Sequence, residues 1–371
     1  MTSEKLTNDA WFATVERLGG RDLLEQEGRE TGAFRRAREV ECAVDGLRLV
    51  LAYCLGALGL RVTAAWAEAL GIASISNVAL LKRVRKTLPW LECLVARQLA
   101  ASSPGPCDIA AAHGRLVRLV DGTTVAKKGL KDRANGGLWR VQAVFDLPTE
   151  RFSAFELTDE TVGEQFDQAA VAAGEIRIGD RNYLQPDRIA NVLAAGGDII
   201  VRARWNAVRW LDADGEKADL IAILKAERGR GLVDQPIWIA RGKAPPLALR
   251  LVALRRPKAA RDQAIATARK KAKNNGTTIM PQTLISAEWM ILVTSLPKGI
   301  FSLQNISELY RLRWRIEIAF KHLKSGAGLD RPPAETATMA KAHVLAHLLL
   351  SLLTEPLIAD HLGDSPRLEA A

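Results

Sequence analysis

The feature that most constrains the fold is a change of hydrophobic period about a third of the way along the chain. Residues 1 to about 100 read as helical, with few alternating stretches and turn signals at Gly19-Gly20 and Gly71. Residues 101–114, ASSPGPCDIAAAHG, are small and rich in Pro and Gly, the composition of a linker. Beyond them the pattern turns extended. Residues 116–120, 138–147 and 151–157 read as three strands, the last two joined by a turn at Pro148-Thr149-Glu150. A short helix at 165–174, a strand at 175–178, a helix at 186–195 and a buried strand at 198–203 follow. The chain therefore has to join an all-α part to a sheet.

At 371 residues the chain suggests two or three domains. We divide it into a helical part, residues 1–105; an α/β part, residues 112–330, interrupted at 205–286; and a helical tail, residues 331–371. The interruption holds strand-like pieces at 236–240 and 247–254 and a basic run ending in Lys270, Lys271 and Lys273. It is read as a mostly β insertion because an apolar core strand, WMILVT at 289–294, resumes after it. In the helical part, residues 62–85 give a helix, a turn at Gly71-Ile72, and a second helix opened by Ser76 as N-cap. Lys82, Arg83, Arg85 and Lys86 follow in that second helix. The pair reads either as a helix-turn-helix that recognises DNA ends or as a helical hairpin with a basic rim.

Composition narrows the partner. The 52 Lys+Arg against 42 Asp+Glu give a net charge of +10, which favours a polyanionic partner such as nucleic acid or an anionic membrane surface. Cys42, Cys54, Cys93 and Cys107 show no C-x-x-C spacing and read as reduced thiols of a cytoplasmic protein. The polar start MTSEKLTNDAW is not a signal peptide, and no apolar run approaches the roughly 20 residues of a membrane span, so no membrane partner is expected.

Residues 307–326, SELYRLRWRIEIAFKHLKSG, read as one amphipathic helix. Leu309, Leu312, Ile316, Ala319 and Leu323 form its apolar stripe, while Tyr310, Arg313, Glu317, Lys321 and Lys324 share the opposite face. By itself that face admits two readings. It is a solvated surface laced by pairs at four-residue spacing, or a site where Glu317 holds a metal while the neighbouring cations hold phosphates.

Two further acids bear on the choice. Asp121 ends the first strand and Asp180 follows the fourth. Three antiparallel strands, a helix, a fourth strand, a helix and a fifth strand make the order of a ribonuclease H-like domain, whose first and fourth strands are neighbours. Asp121 and Asp180 would then stand side by side. With Glu317 they would form an all-carboxylate site suited to Mg²⁺, with Mn²⁺ as substitute. Two such ions could activate a water or a 3′-hydroxyl and stabilise the leaving oxygen of a phosphodiester.

The helix spells Tyr310, Arg313, Glu317 and Lys324 at the spacing of the Y-R-E-K signature, and resembles the DDE transposases of the insertion-sequence-four family. Val120-Asp121-Gly122-Thr123 and Gly179-Asp180-Arg181-Asn182-Tyr183 resemble that family's first and second acid motifs. The resemblance covers roughly residues 60–330. It implies an endonuclease that cuts and joins the ends of a transposable element, with a ribonuclease H-like core, a β-rich insertion and a preceding all-α domain. Asp121, Asp180 and Glu317 would bind the metals. Tyr310, Arg313 and Lys324 would contact the phosphates of the transposon end, and Lys321 and Arg181, beside the acids, are counted with them. Trp289 would hold a flipped base by stacking, or is simply a core tryptophan. The partners implied are double-stranded DNA, both terminal inverted repeats and target, and a second copy of the chain in the synaptic complex. A nucleoid-associated, cytoplasmic location follows. Asn182 stands where the family often has Gly, and was expected to tolerate a left-handed turn.

Two other readings stay open at this level: a catalytically silent DNA-binding protein derived from a transposase, and a ribonuclease H-like nuclease. His343 and His347 lie four apart but Val344 stands where a metalloprotease helix has Glu, so they read as packing residues. The basic run 269–273 reads as a DNA-backbone contact or as a solvated helix end.

Overall fold

Side chains along the central strands alternate between two cores. Leu119, Ile178, Ile200, Val252 and Leu292 belong to one buried cluster, and Val120, Ile199, Val201, Leu251, Ala253, Ile291 and Val293 to the other. Strands apolar on both faces require cover on both. A computed structural model describes residues 3–56, 58–101, 109–126, 138–325, 329 and 336–362, and in it helices cover both faces of one nine-stranded sheet.

The first hundred residues form five helices: α1 (Ser3–Arg17), α2 (Arg21–Glu30), α3 (Ala43–Leu55), α4 (Leu60–Ala69) and α5 (Asn77–Ala101). Gly71 turns the chain between α4 and α5 with φ 65°, and the Ser76 hydroxyl accepts the Ala79 amide at 3.2 Å, as a capping residue does. Lys82, Arg85 and Lys86 are exposed on α5, whereas Arg83 lies over the Phe34 ring at 5.0 Å. These helices share their core with one face of the sheet: Leu47, Leu80, Leu91, Leu119, Ile178 and Leu348 belong to one cluster.

The sheet begins with β1 (Val117–Ala126), β2 (Leu138–Asp146) and β3 (Arg151–Asp159), a consecutive antiparallel set. Then come β4 (Ile176–Gly179), α6 (Pro186–Ala194) and β5 (Asp198–Arg202). The interrupting segment supplies β6 (Trp210–Leu211), α7 (Leu220–Ala226), β7 (Leu232–Arg241), β8 (Ala244–Arg255), α8 (Lys258–Asn274) and α9 (Pro281–Ala287). The chain then adds β9 (Trp289–Thr294), α10 (Leu303–Arg311), α11 (Trp314–Ser325) and α12 (Ala337–Leu362). Strand order is β3-β2-β1-β4-β5-β9-β8-β7-β6. β4 lies beside β1 and parallel to it, the neighbour relation expected from the sequence.

Three expectations change. The segment at 205–286 is mixed α/β, and its β7–β8 hairpin extends the central sheet through β9, because β8 is apolar enough to be buried there. Residues 165–174 are turns instead of a helix. The guanidinium of fully buried Arg177 donates to the carbonyls of Phe166, Ala169 and Ala170, which a helix would need for its own amides. The helix expected at 307–326 is two helices, α10 and α11. Leu312, Arg313 and Arg315 donate to carbonyls three residues back, so the chain tightens into a turn at Leu312-Arg313. Residues 102–108 of the linker, with Cys107, and Gly326 lie outside the described residues.

Cys42, Cys54 and Cys93 are free thiols. His343 and His347 are buried on α12 with ring centroids 4.1 Å apart, in keeping with packing. Among the described residues, no helix is long and apolar enough to cross a membrane.

Candidate active site at the strand ends

The register of three parallel strands builds the site. Val120 of β1 stands opposite Gly179 of β4, and Gly179 opposite Val201 of β5. The next residue on each strand extends that row, so Asp121, Asp180 and Arg202 lie in line across three strand ends, at steps of about 4.8 Å.

Small residues make room for the acids. An added Cβ at Gly179 would come within 2.8 Å of the Tyr183 Cβ and 2.9 Å of the Phe166 ring, so only glycine lets Tyr183 and Phe166 pack under the turn that carries Asp180. An added Cβ at Gly122 would meet the Glu164 carboxylate at 2.8 Å. Glu164 is therefore a fourth acid beside Asp121, held there by Arg140 at 2.9 Å. It escaped sequence reasoning because it lies on an irregular stretch just before the helix expected at 165–174, where no strand or helix period points it toward Asp121.

Local hydrogen bonds orient both aspartates. Asp121 Oδ1 accepts the Gly122 amide at 2.8 Å. Asp180 caps a single 3₁₀ turn at Arg181–Tyr183, and its Oδ1 accepts the Asn182 amide at 2.7 Å. Asn182 lies within that turn, without positive φ, and its side-chain oxygen accepts a hydrogen bond from Arg204 at 2.8 Å. Its conformational tolerance is thus not what the position uses.

Glu317 opens α11 and is half exposed. Arg313, in the turn between the two helices, stands between it and Asp121. One guanidinium nitrogen is 2.6 Å from Glu317 Oε1 and another 3.6 Å from Asp121 Oδ2. Lys321 and Lys324 follow Glu317 by about one and two turns on α11. Tyr310, on α10, is buried, and its ring lies 6.0 Å from the Arg313 guanidinium carbon. Tyr310 thus comes from the preceding helix but keeps Arg313, Arg202 and Asp180 in its electrostatic surroundings. Trp289 is 2 % exposed, the first residue of β9, opposite Arg255, within the core on the sheet face that α6, α7 and α9 cover. Stacking of Trp289 on a base requires the ring to leave that core.

Sequence reasoning named Arg181 but missed the arginines around it, Arg202, Arg204 and Arg256. Arg181, beside Asp180, feels Arg202 and Arg204, and Arg256 feels Arg202 and Tyr310. The signal available was the Arg202-Ala203-Arg204 alternation at the end of a buried strand. Burial and this mutual repulsion hold the Arg181 and Arg256 guanidinium pKa values below their usual range, so an anion placed there would relieve both.

The donor chemistry suits a hard divalent ion. Burial pushes Asp121 up to about 7; the Gly122 amide and Arg313 oppose that shift, and the Asp180 and Glu164 carboxylates add to it. A cation there would favour the charged form. Among the described residues, however, no three acids, histidines or cysteines are grouped closely enough to hold an ion. Asp121 and Asp180 lie close enough for the Asp180 charge to act on Asp121, whereas Glu317 is engaged by Arg313.

The family described as Transposase DDE domain matches residues 112–353. Over 369 residues the chain is 34% identical to InsL of Escherichia coli strain K12, named as a transposase for insertion sequence element IS186A, covering 97% of each chain. It is 34% identical over 370 residues, again 97% of each, to the transposase for insertion sequence element IS421 of Escherichia coli. A cryo-EM structure of a piggyBac transposase synaptic complex with hairpin DNA aligns at a TM-score of 0.47 and 10% identity, covering 91% of this chain and 71% of that one. With its acids on neighbouring strand ends and near full-length similarity to insertion-sequence transposases, the chain belongs to the DDE transposase family.

Proposed function

We propose that this chain is a DNA transposase of the insertion-sequence-four type, cutting and joining the ends of its own element with Asp121, Asp180 and Glu317 on a ribonuclease H-like core. The observation that carries the reading is the row that sets Asp121 beside Asp180, with Arg313 linking Asp121 to Glu317.

Asp121 and Asp180 would hold Mg²⁺, or Mn²⁺ in its place, and Glu317 would complete the set. Bound ions would lower the pKa of an attacking water or 3′-hydroxyl and stabilise the departing oxygen. Hydrolysis breaks the P–O3′ bond at the element's end, leaving a 3′-hydroxyl and a 5′-phosphate. The freed hydroxyl then attacks a second phosphodiester, on the opposite strand to make a hairpin or on target DNA to join it; the P–O3′ bond of that diester breaks and its 3′-oxygen leaves as a new 3′-hydroxyl.

The remaining residues of the site position the strand. Arg313 exchanges Glu317 for a DNA phosphate, which frees the carboxylate and places the phosphate beside the acids. Lys321, Lys324, Arg181 and Tyr310 supply further phosphate contacts, Tyr310 from beside the Arg313 guanidinium. The α4–α5 pair, with Lys82, Arg85 and Lys86 outward, reads the inverted repeat, and two copies of the chain pair the two ends at the nucleoid in the cytoplasm.

The test incubates purified protein with a linear duplex bearing the element's inverted repeats. Cleavage at the element boundary in Mg²⁺, absent in EDTA and in Glu317→Ala, is expected. End binding without cutting in Mg²⁺ or Mn²⁺ would reduce the protein to a silent DNA-binding derivative, and cutting that ignores the repeats would make it a general nuclease.

A further inference from the structure

The charged edge that starts at the acids continues beyond them. β1, β4 and β5 are parallel, and β9 is antiparallel to both β5 and β8, so the C-terminal end of β8 emerges on the same edge as Asp121, Asp180 and Arg202. Four strand spacings, about 19 Å, separate β1 from β8. There β8 ends on Arg255 and, after Arg256 and Pro257, the chain enters α8.

α8 has no buried residue, a property it shares with α9, and six cations stand in its sequence against one acid. Ala260, Ala264, Ala268 and Ala272 form its half-buried side. Arg269, Lys270 and Lys273 fall within an arc of about 100° on the opposite side, all exposed; Lys271, also exposed, falls on the alanine side near the end of the helix. Lys258 pairs with Asp262 at 3.0 Å, but among the described residues no acid pairs with Arg269, Lys270, Lys271 or Lys273. A 17-residue helix is about 26 Å long. The acid pair and the far end of α8 therefore lie within about one to one and a half turns of duplex DNA.

We propose that α8 is a DNA-backbone clamp: Arg269, Lys270, Lys271 and Lys273 hold the duplex whose strand is cut at Asp121 and Asp180, with Arg202 and Arg256 forming the path between. This rests on the proposed DNA-cutting function and assigns the segment at 205–286 a part in it. Arg256 lies electrostatically close to both Arg202 and Tyr310, which makes the positive path continuous from the acids to the start of α8. The sequence alone left this run undecided between a DNA contact and a solvated helix end. The start of α8 on the catalytic edge, with four cations near its end that pair with no acid among the described residues, favours the DNA contact.

The experiment measures binding of the full-length protein to a 40-base-pair duplex containing one inverted repeat and its flank, across a salt series, by fluorescence anisotropy. Each phosphate contact contributes about 0.9 to the slope of log K against log salt. The variant with all four cations changed to Ala should lower that slope by about 2 to 4, and the corresponding change to Glu should weaken binding further. A slope unchanged from wild type in the Ala variant, while the wild type cuts the repeat, overturns the clamp and leaves the transposase reading intact. A lowered slope in a protein that never cuts supports the clamp and removes the cleavage reading. A wild type that binds no duplex overturns both. Because the four cations are exposed, the Ala variant should keep the wild-type urea midpoint, which separates lost contacts from lost structure.

Discussion

Gly179→Ala is the smallest change that reaches the site without touching an acid. The new methyl carbon would sit 2.8 Å from the Tyr183 Cβ, 2.9 Å from the Phe166 Cε2 and 3.0 Å from the Tyr183 Cγ. Phe166 and Tyr183 are fully buried and pack on each other at 5.6 Å between ring centroids. Neither can leave, so the β4 end and the 3₁₀ turn must shift by several tenths of an ångström. Overpacking of this kind costs about 1–3 kcal/mol. Asp180 caps that turn and moves with it. A misplacement of about 1 Å costs up to about 100-fold in rate, so a shift of half that size should slow cleavage by about tenfold. The assay pairs urea denaturation with single-turnover cleavage of an inverted-repeat duplex. Gly229→Ala, where nothing lies within 4 Å, is the control and should change neither. Adding Phe166→Leu, which removes the ring edge at 2.9 Å, should recover part of the loss, giving a stability coupling of at least about 0.5 kcal/mol. A Gly179→Ala protein with wild-type stability and cleavage within threefold of wild type would refute the reasoning.

Three further outcomes follow from the packing. Arg177→Met removes a fully buried guanidinium bonded to Glu175 and three carbonyls, so it should cost about 3–5 kcal/mol in urea denaturation; a loss under about 1 kcal/mol would show that the 163–175 segment is held otherwise. Trp289→Ala should cost about 3–5 kcal/mol as a large-to-small core change, whereas a stability-neutral variant that loses only cleavage would place the ring on DNA. Burial pushes the Cys54 thiol up to about 12, so at pH 8 it stays protonated and enclosed. Iodoacetamide should leave Cys54 unmodified in the native protein and label it in urea, as read by peptide mass mapping; native labelling would contradict its burial.

The strands were legible because each is a short apolar run bounded by turn residues. Residues 198–203 and 289–294 could hardly be anything else, and the observed β5 and β9 lie within those limits. The neighbouring ends of β1 and β4 were legible by topology, since the strand order allowed Asp121 and Asp180 one simple meeting place. Residues 165–174 were misread because the competing partner for their carbonyls, Arg177, acts through a buried side chain that period alone does not reveal. The break at Leu312-Arg313 was hidden for a similar reason. Its residues suit a helix, and Arg313 instead lies in a turn between Asp121, far away in sequence, and Glu317. Arg181 was legible beside its acid, but its grouping with Arg202 and Arg256 was not, because the three come from different segments that only the sheet brings to one edge.

The central claim is that Asp121 and Asp180 hold the divalent ion that drives DNA cleavage. Its most direct test is Asp180→Cys, assayed on the inverted-repeat duplex in Mg²⁺ and in Mn²⁺, with DNA binding followed in parallel. A thiolate is a poor ligand for Mg²⁺ and a better one for Mn²⁺. The account predicts a variant that binds DNA like wild type, fails to cut in Mg²⁺ and regains cutting in Mn²⁺. A variant that cuts at the wild-type rate in Mg²⁺ would contradict it.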